Sequence, residues 1–87
     1  MAGPVVVTIV AVFKRPKSMP KKLSKGRIPR PSKPDWDNIG KAVCDALNGI
    51  AYDDDAIIVS GSVTKWVAAE GELPHVEIRL QDFSSSP

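Results

Sequence analysis

The sequence predicts an α+β fold in which a small mixed β-sheet carries one main helix, in the order β-loop-α-β-β. Three observations lead there: a Val/Ile-rich run at the start, one stretch of helical period beginning at Asp35, and two strand-like runs after it. A chain of 87 residues, 43% of them hydrophobic, is expected to form a single domain over residues 1–87 with a small core.

Pro4 to Phe13 is nearly continuous in Val and Ile, which predicts a strand covered on both faces and central in its sheet. Residues 14–34 hold five of the eight prolines and no apolar period, so they are expected to form a long loop with neither helix nor ladder pairing. From Asp35 the period becomes helical. Asp37, Asn38, Lys41, Asp45 and Asn48 gather on one side, and Ile39, Ala42, Val43, Ala46 and Leu47 on the other. Asp35 is the expected N-cap and Gly49 the stop. AIIVSGSVTKWV then predicts a strand bulged at Ser60-Gly61-Ser62, and Ala69 to Leu73 a turn. In PHVEIRL, Val76, Ile78 and Leu80 alternate with Glu77 and Arg79, as in a one-sided strand, and residues 83–87 are expected to fray.

Charge is strongly segregated although the net is only +2. Lys14, Arg15, Lys17, Lys21, Lys22, Lys25, Arg27, Arg30 and Lys33 fall in the loop with no acid among them. Asp35, Asp37, Asp45, Asp53, Asp54 and Asp55 follow at once. The two groups either neutralise each other or share a polyanionic ligand. No apolar run is long enough to span a bilayer, and the start of the chain lacks the features of a signal peptide. The expectation is a soluble protein without membrane contact. The single cysteine, Cys44, excludes an internal disulfide and fits a reducing cytoplasm.

Asp35 and Asp37 have an ordinary role open to them, as cap and as partner of the helix dipole, worth roughly 0.5–2 and 0.3–1 kcal/mol. That role does not extend to Asp53, Asp54 and Asp55, which follow the helix. The turn and strand after the helix are expected to bring residue 55 back beside the helix start, so that three carboxylates converge. Like charges about 4 Å apart repel by roughly 4 kcal/mol at an effective dielectric of 20, which a divalent cation relieves. Oxygen-only ligands suit Mg²⁺; the ordering of a calcium hand is absent. Lys41 stands one turn from Asp37, either as an ion-pair partner or as a cation beside the metal. Trp36 is expected to anchor the core, Trp66 and Tyr52 to pack, His75 to be exposed and inert, and Cys44 to be structural.

The string PDWDNIGKAVCDALNGIAYDDDA resembles the signature of the RusA family of Holliday junction resolvases, common on phage and prophage genomes. The match centres on positions 33–59 and extends more loosely over the flanking strands. It implies a RusA-like fold and a homodimer in the cytoplasm of a bacterial host, cutting symmetric strands of four-way or branched DNA in pairs. It further implies Asp35, Asp37 and Asp55 as Mg²⁺ ligands, with Mn²⁺ as a substitute, and Lys41 as the catalytic lysine. Asp54 is a candidate for supporting the site or holding a second metal, Asp53 is expected to be solvated, and the nine loop cations are expected to grip DNA phosphates. Two departures stand out. Ile57 occupies a position where the family often has glutamine, and the chain starts later than family members usually do. The alternative reading is therefore a shortened, catalytically impaired relative that binds branched DNA without cutting.

Overall fold

A computed structural model describes residues 3–20 and 23–83, with the side chain of Asp55 excepted. The elements are β1 (Val5–Phe13), β2 (Ile28–Pro29), α1 (Trp36–Leu47), β3 (Ile58–Val67) and β4 (His75–Asp82), with a 3₁₀ turn at Asp55–Ile57 before β3. They form an α+β fold. The four strands make one sheet in the order β2-β3-β1-β4. β1 runs parallel to β3 and antiparallel to β4, while β2 runs antiparallel to β3.

β1 is central, as its apolar run demands, but only one face is sealed along its length; on the other, Val12 alone is buried. Val5, Val7, Ile9 and Ala11 are buried, whereas Val6, Thr8 and Val10 are half-buried. The reason is that a single helix can cover a single face. α1 connects the parallel pair and packs on β3, so closely that a side chain at Gly40 would begin 3.5 Å from Val63 Cγ2.

Ile39, Gly40, Val43, Cys44 and Leu47 are the half-buried stripe of α1, and Ala42 and Ala46 are exposed. Trp36 is not a core anchor: it is 63% exposed. It is the first helical residue, one turn ahead of Ile39, where the half-buried stripe begins. Tyr52 does pack, at 3% exposure, and its hydroxyl donates to the Cys44 carbonyl at 2.9 Å.

The bulge lies earlier than expected. Val5 pairs with Ile58 and Val6 with Ser60, so Val59 is the extra residue. Gly61 is in regular register opposite Val7 and meets a different demand, because a Cβ there would lie 2.9 Å from Val7 Cγ1. The turn before β4 uses Gly71 at φ +83°, with the Glu72 amide donating to the Ala69 carbonyl at 2.9 Å. Of the tail expected to fray, Phe83 is held, its amide donating to the Pro4 carbonyl at 2.8 Å; residues 84–87 lie outside the described residues.

The loop over residues 14–34 is not free of pairing. Ile28 and Pro29 join β3 opposite Val67 and Trp66, as an edge where proline's missing donor does no harm. On the far edge, β4 alternates as expected, yet its apolar side is open, with Val76 52% and Ile78 44% exposed.

Candidate functional site

Asp35 stands at the N-cap of α1 with extended backbone (φ −66°, ψ 150°), but its side chain makes no capping bond. Its carboxylate is therefore not spent on the helix. Asp37 lies in the first turn and Lys41 one turn on, and all three residues are exposed. Among the described residues no ion pair joins Asp37 to Lys41, so the helix-stabilising role weighed for that lysine is not taken up.

Lys65, on β3, fixes where this helix start sits. Its ammonium donates to the carbonyls of Ser32 at 2.7 Å and Pro34 at 2.9 Å, and its own carbonyl accepts the Arg30 amide at 3.0 Å. Arg30 in turn donates to the Lys33 carbonyl at 2.8 Å. Sequence reasoning missed Lys65. The one signal was a cation inside a strand otherwise made of apolar and small residues.

The other acids sit at the opposite end of α1. Asn48 closes the helix, Gly49 turns the chain at φ +81°, and the Gly49 amide donates to the Tyr52 carbonyl at 2.7 Å. Asp53 and Asp54 follow, both exposed. Asp54 has a structural task, accepting the Ala56 amide at 2.9 Å on Oδ1 to open the 3₁₀ turn.

The turn carrying residues 53–55 thus stays by the end of the helix instead of returning to its start. The 12 residues of α1 span roughly 18 Å at 1.5 Å each. Strand geometry agrees: β3 begins at Ile58, and the residue on it that reaches the helix start is Lys65, seven positions or roughly 23 Å further on. The described backbone thus separates the helix start from this turn by the length of α1. Among the described residues no three acidic, His or Cys groups stand together to hold a metal; the Asp55 side chain lies outside that set.

The basic loop divides by residue type. Its three arginines are half-buried and fasten the loop to the sheet. Arg15 donates to the carbonyls of Ser24 (2.7 Å), Gly26 (3.2 Å) and Ala68 (3.2 Å). Arg27 grips Glu72 and Glu77, both at 2.7 Å. Arg30 stacks 4.2 Å over the Phe13 ring. The planar, five-donor guanidinium suits such bracing. Lys14, Lys17, Lys25 and Lys33 are exposed instead, and Lys21 and Lys22 lie outside the described residues. Lys14, Lys17 and Lys25 border an open cleft of about 950 Å³ with Met19, Leu23 and Leu73.

His75 is exposed but not inert. It bonds to the Leu73 carbonyl at 2.8 Å and to Glu77 at 2.7 Å, and these contacts, in that order, raise its pKa. Hydrogen bonds from Arg27 chiefly, then from the Ala69 amide, pull the Glu72 carboxyl down to about 2. Glu77 is lowered by His75 and then Arg27, and Arg27 is raised by both acids.

The start of α1 thus carries exposed acids and follows a loop of exposed lysines braced by arginines. The sequence matches the family model of the endodeoxyribonuclease RusA over residues 1–81, and the chain belongs to that family. It is also 34% identical over 91 residues to the uncharacterized protein YqaN of Bacillus subtilis (strain 168), covering 98% of this chain and 62% of that relative. The chain therefore spans less than two thirds of the relative's length. No solved structure matches. Among the described residues, no helix is long and apolar enough to cross a membrane.

Proposed function

We infer that the protein is a Mg²⁺-dependent endodeoxyribonuclease that resolves four-way DNA junctions by paired, symmetric phosphodiester hydrolysis, in recombination and repair within a bacterial host. The observation that carries this reading is the family match across residues 1–81, which includes the helix start and the residue 53–55 turn.

The donors at the helix start fit a hard ion: two exposed carboxylates, one of them without a capping bond, and no nitrogen or sulfur ligand nearby in sequence. Asp35 and Asp37 would hold it, and Mn²⁺ would substitute. When bound, the metal supplies Lewis-acid polarisation of a phosphate oxygen and a water of lowered pKa. Lys41, on the same face as Asp37, offsets the charge that builds on the attacked phosphate. The exposed loop lysines hold neighbouring phosphates against the repulsion of the acids. Asp55 is the third ligand of this reading, and it reaches the ion only if the 53–55 turn is carried to a helix start by assembly with another copy or with the junction. Homodimerisation is part of the proposal for that reason.

One observation favours a second reading. The helix length that separates Asp35 and Asp37 from Asp55 suits a relative that binds branched DNA without cutting it. A synthetic four-way junction incubated with the protein and Mg²⁺ decides between them. Symmetric nicks support the nuclease, and tight binding without nicks supports the second reading. Asp37→Asn is expected to abolish nicking while keeping or tightening junction binding, because it removes a ligand and a repulsive charge together; nicking that persists in this variant overturns the site assignment.

A further inference from the structure

Single apolar side chains on a surface are ordinary, so the 63% exposure of Trp36 decides little by itself. Its setting decides more. Residues 31–38 are all exposed, and the ring stands between two acids, Asp35 before it and Asp37 after it, with Asn38 next. The half-buried stripe that packs α1 on the sheet begins only at Ile39. A protein surface laid over this point would have to bury both carboxylates along with the ring, a cost that contact with one side chain does not offset. A nucleotide suits the combination. Its phosphate pairs with a cation held by the acids, and its base offers a flat face to the indole.

The ring is also held in place. Lys65 binds the carbonyls of Ser32 at 2.7 Å and Pro34 at 2.9 Å, and Trp36 is the first residue of the helix that follows. A platform fixed before its ligand arrives loses little freedom on binding. Consecutive Cα atoms lie about 3.8 Å apart, so the indole is rooted beside the backbone of each acid.

We propose that Trp36 stacks on a DNA base laid bare at the branch point, next to the phosphate that Asp35 and Asp37 address, and so makes the protein favour branched DNA over continuous duplex. The proposal deepens the nuclease reading and rests on its account of the helix start as the place where DNA phosphate is bound. In continuous duplex both faces of every base are covered by its neighbours, and freeing one costs unstacking energy. Where strands change partners, a base at the crossover gives up one neighbour more readily, and the indole takes that place. Stacking needs no hydrogen bond to a base edge, so the platform reads branch geometry and not sequence.

The test uses the full chain with Trp66→Phe, which leaves Trp36 as its one tryptophan. Ca²⁺ replaces Mg²⁺ as the hard ion on the acids. A four-way junction and a linear duplex of the same arm sequence each carry a dye, so that anisotropy reports binding while indole emission reports stacking. The junction should quench most of the Trp36 emission, and the duplex at equal occupancy should leave it nearly unchanged. With Trp66 intact, Trp36→Ala should weaken junction binding at least about fivefold, the low end of what one stacked base contributes, and leave duplex binding unchanged. Trp36→Phe should keep most of the affinity, whereas Trp36→Leu, apolar but without a ring, should behave like alanine. Equal affinity of the Phe and Leu variants would mean burial without stacking and overturns the proposal. Junction binding without quenching, or equal quenching by duplex, overturns it too and leaves the nuclease reading in place. Junction-selective quenching with no nicks once Mg²⁺ is supplied does the reverse: the stacking stands and the cutting falls. Trp36 emission that shifts with protein concentration in the absence of DNA would put a second chain over the ring, and that also overturns the proposal.

Discussion

At the level of single residues, the clearest constraint is Gly61. Any side chain there starts 2.9 Å from Cγ1 of the buried Val7, so Gly61→Ala should lower stability by about 1–3 kcal/mol, read from chemical denaturation, as crowding a packed side chain does. Lys65 is expected to behave differently. Lys65→Met removes both bonds to the Ser32–Pro34 backbone, so it should cost about 1 kcal/mol and speed amide exchange at the first turn of α1. On the nuclease reading, it should also slow nicking while leaving junction affinity close to unchanged. Unaltered exchange at the helix start would show that Lys65 does not position it. The N-cap position of Asp35 was legible because capping depends on a few neighbouring residues. The exposure of Trp36 was not, because a helical wheel reports direction and says nothing about where the sheet ends.

At the level of elements, the basic loop can be taken apart by residue type. On the nuclease reading, replacing Lys14, Lys17 and Lys25 together with alanine should leave the fold intact and flatten the salt dependence of DNA binding, by roughly 0.9 in the log–log slope for every phosphate no longer neutralised. Arg27→Ala should act through the loop's shape, because its partners are Glu72 and Glu77. An equal drop in salt slope from either change would mean that the arginine touches DNA as well. The same clamp has a pH signature. The carboxyls of Glu72 and Glu77 are lowered from an ordinary 4.5, Glu72 to about 2, so their contribution is present above pH 4.5 and is lost as pH falls through the lowered values. His75 is raised from an ordinary 6.5, so its contribution is complete below that pH and is lost as pH rises through the raised value. Hydrogen exchange over residues 23–27 should be slowest between about pH 4.5 and 6.5, after correction for the intrinsic rate. None of this bracing was legible in the charge run. Lys and Arg count alike in a net charge, and the carbonyls and carboxylates they seek come from distant parts of the chain.

On the scale of the whole molecule, the sequence specified more of the sheet than of the site. Val5 to Phe13 reads as a central strand because nothing but apolar and β-branched residues occupies it, and the alternation in β4 is equally direct. The relation between acids at positions 35, 37 and 55 depends on where a helix and a turn lie in space, and spacing along the chain does not encode that. β1 brings one more consequence. It precedes both of the neighbours it needs, with 44 residues between its end and the start of β3, and β4 comes later still. A nascent chain must therefore carry VVVTIVAVF without its sheet neighbours until β3 and β4 have been made. The lysine-rich, proline-broken stretch that follows it is the kind of flank that keeps such a segment from pairing with its copies, a service rendered before this sheet exists.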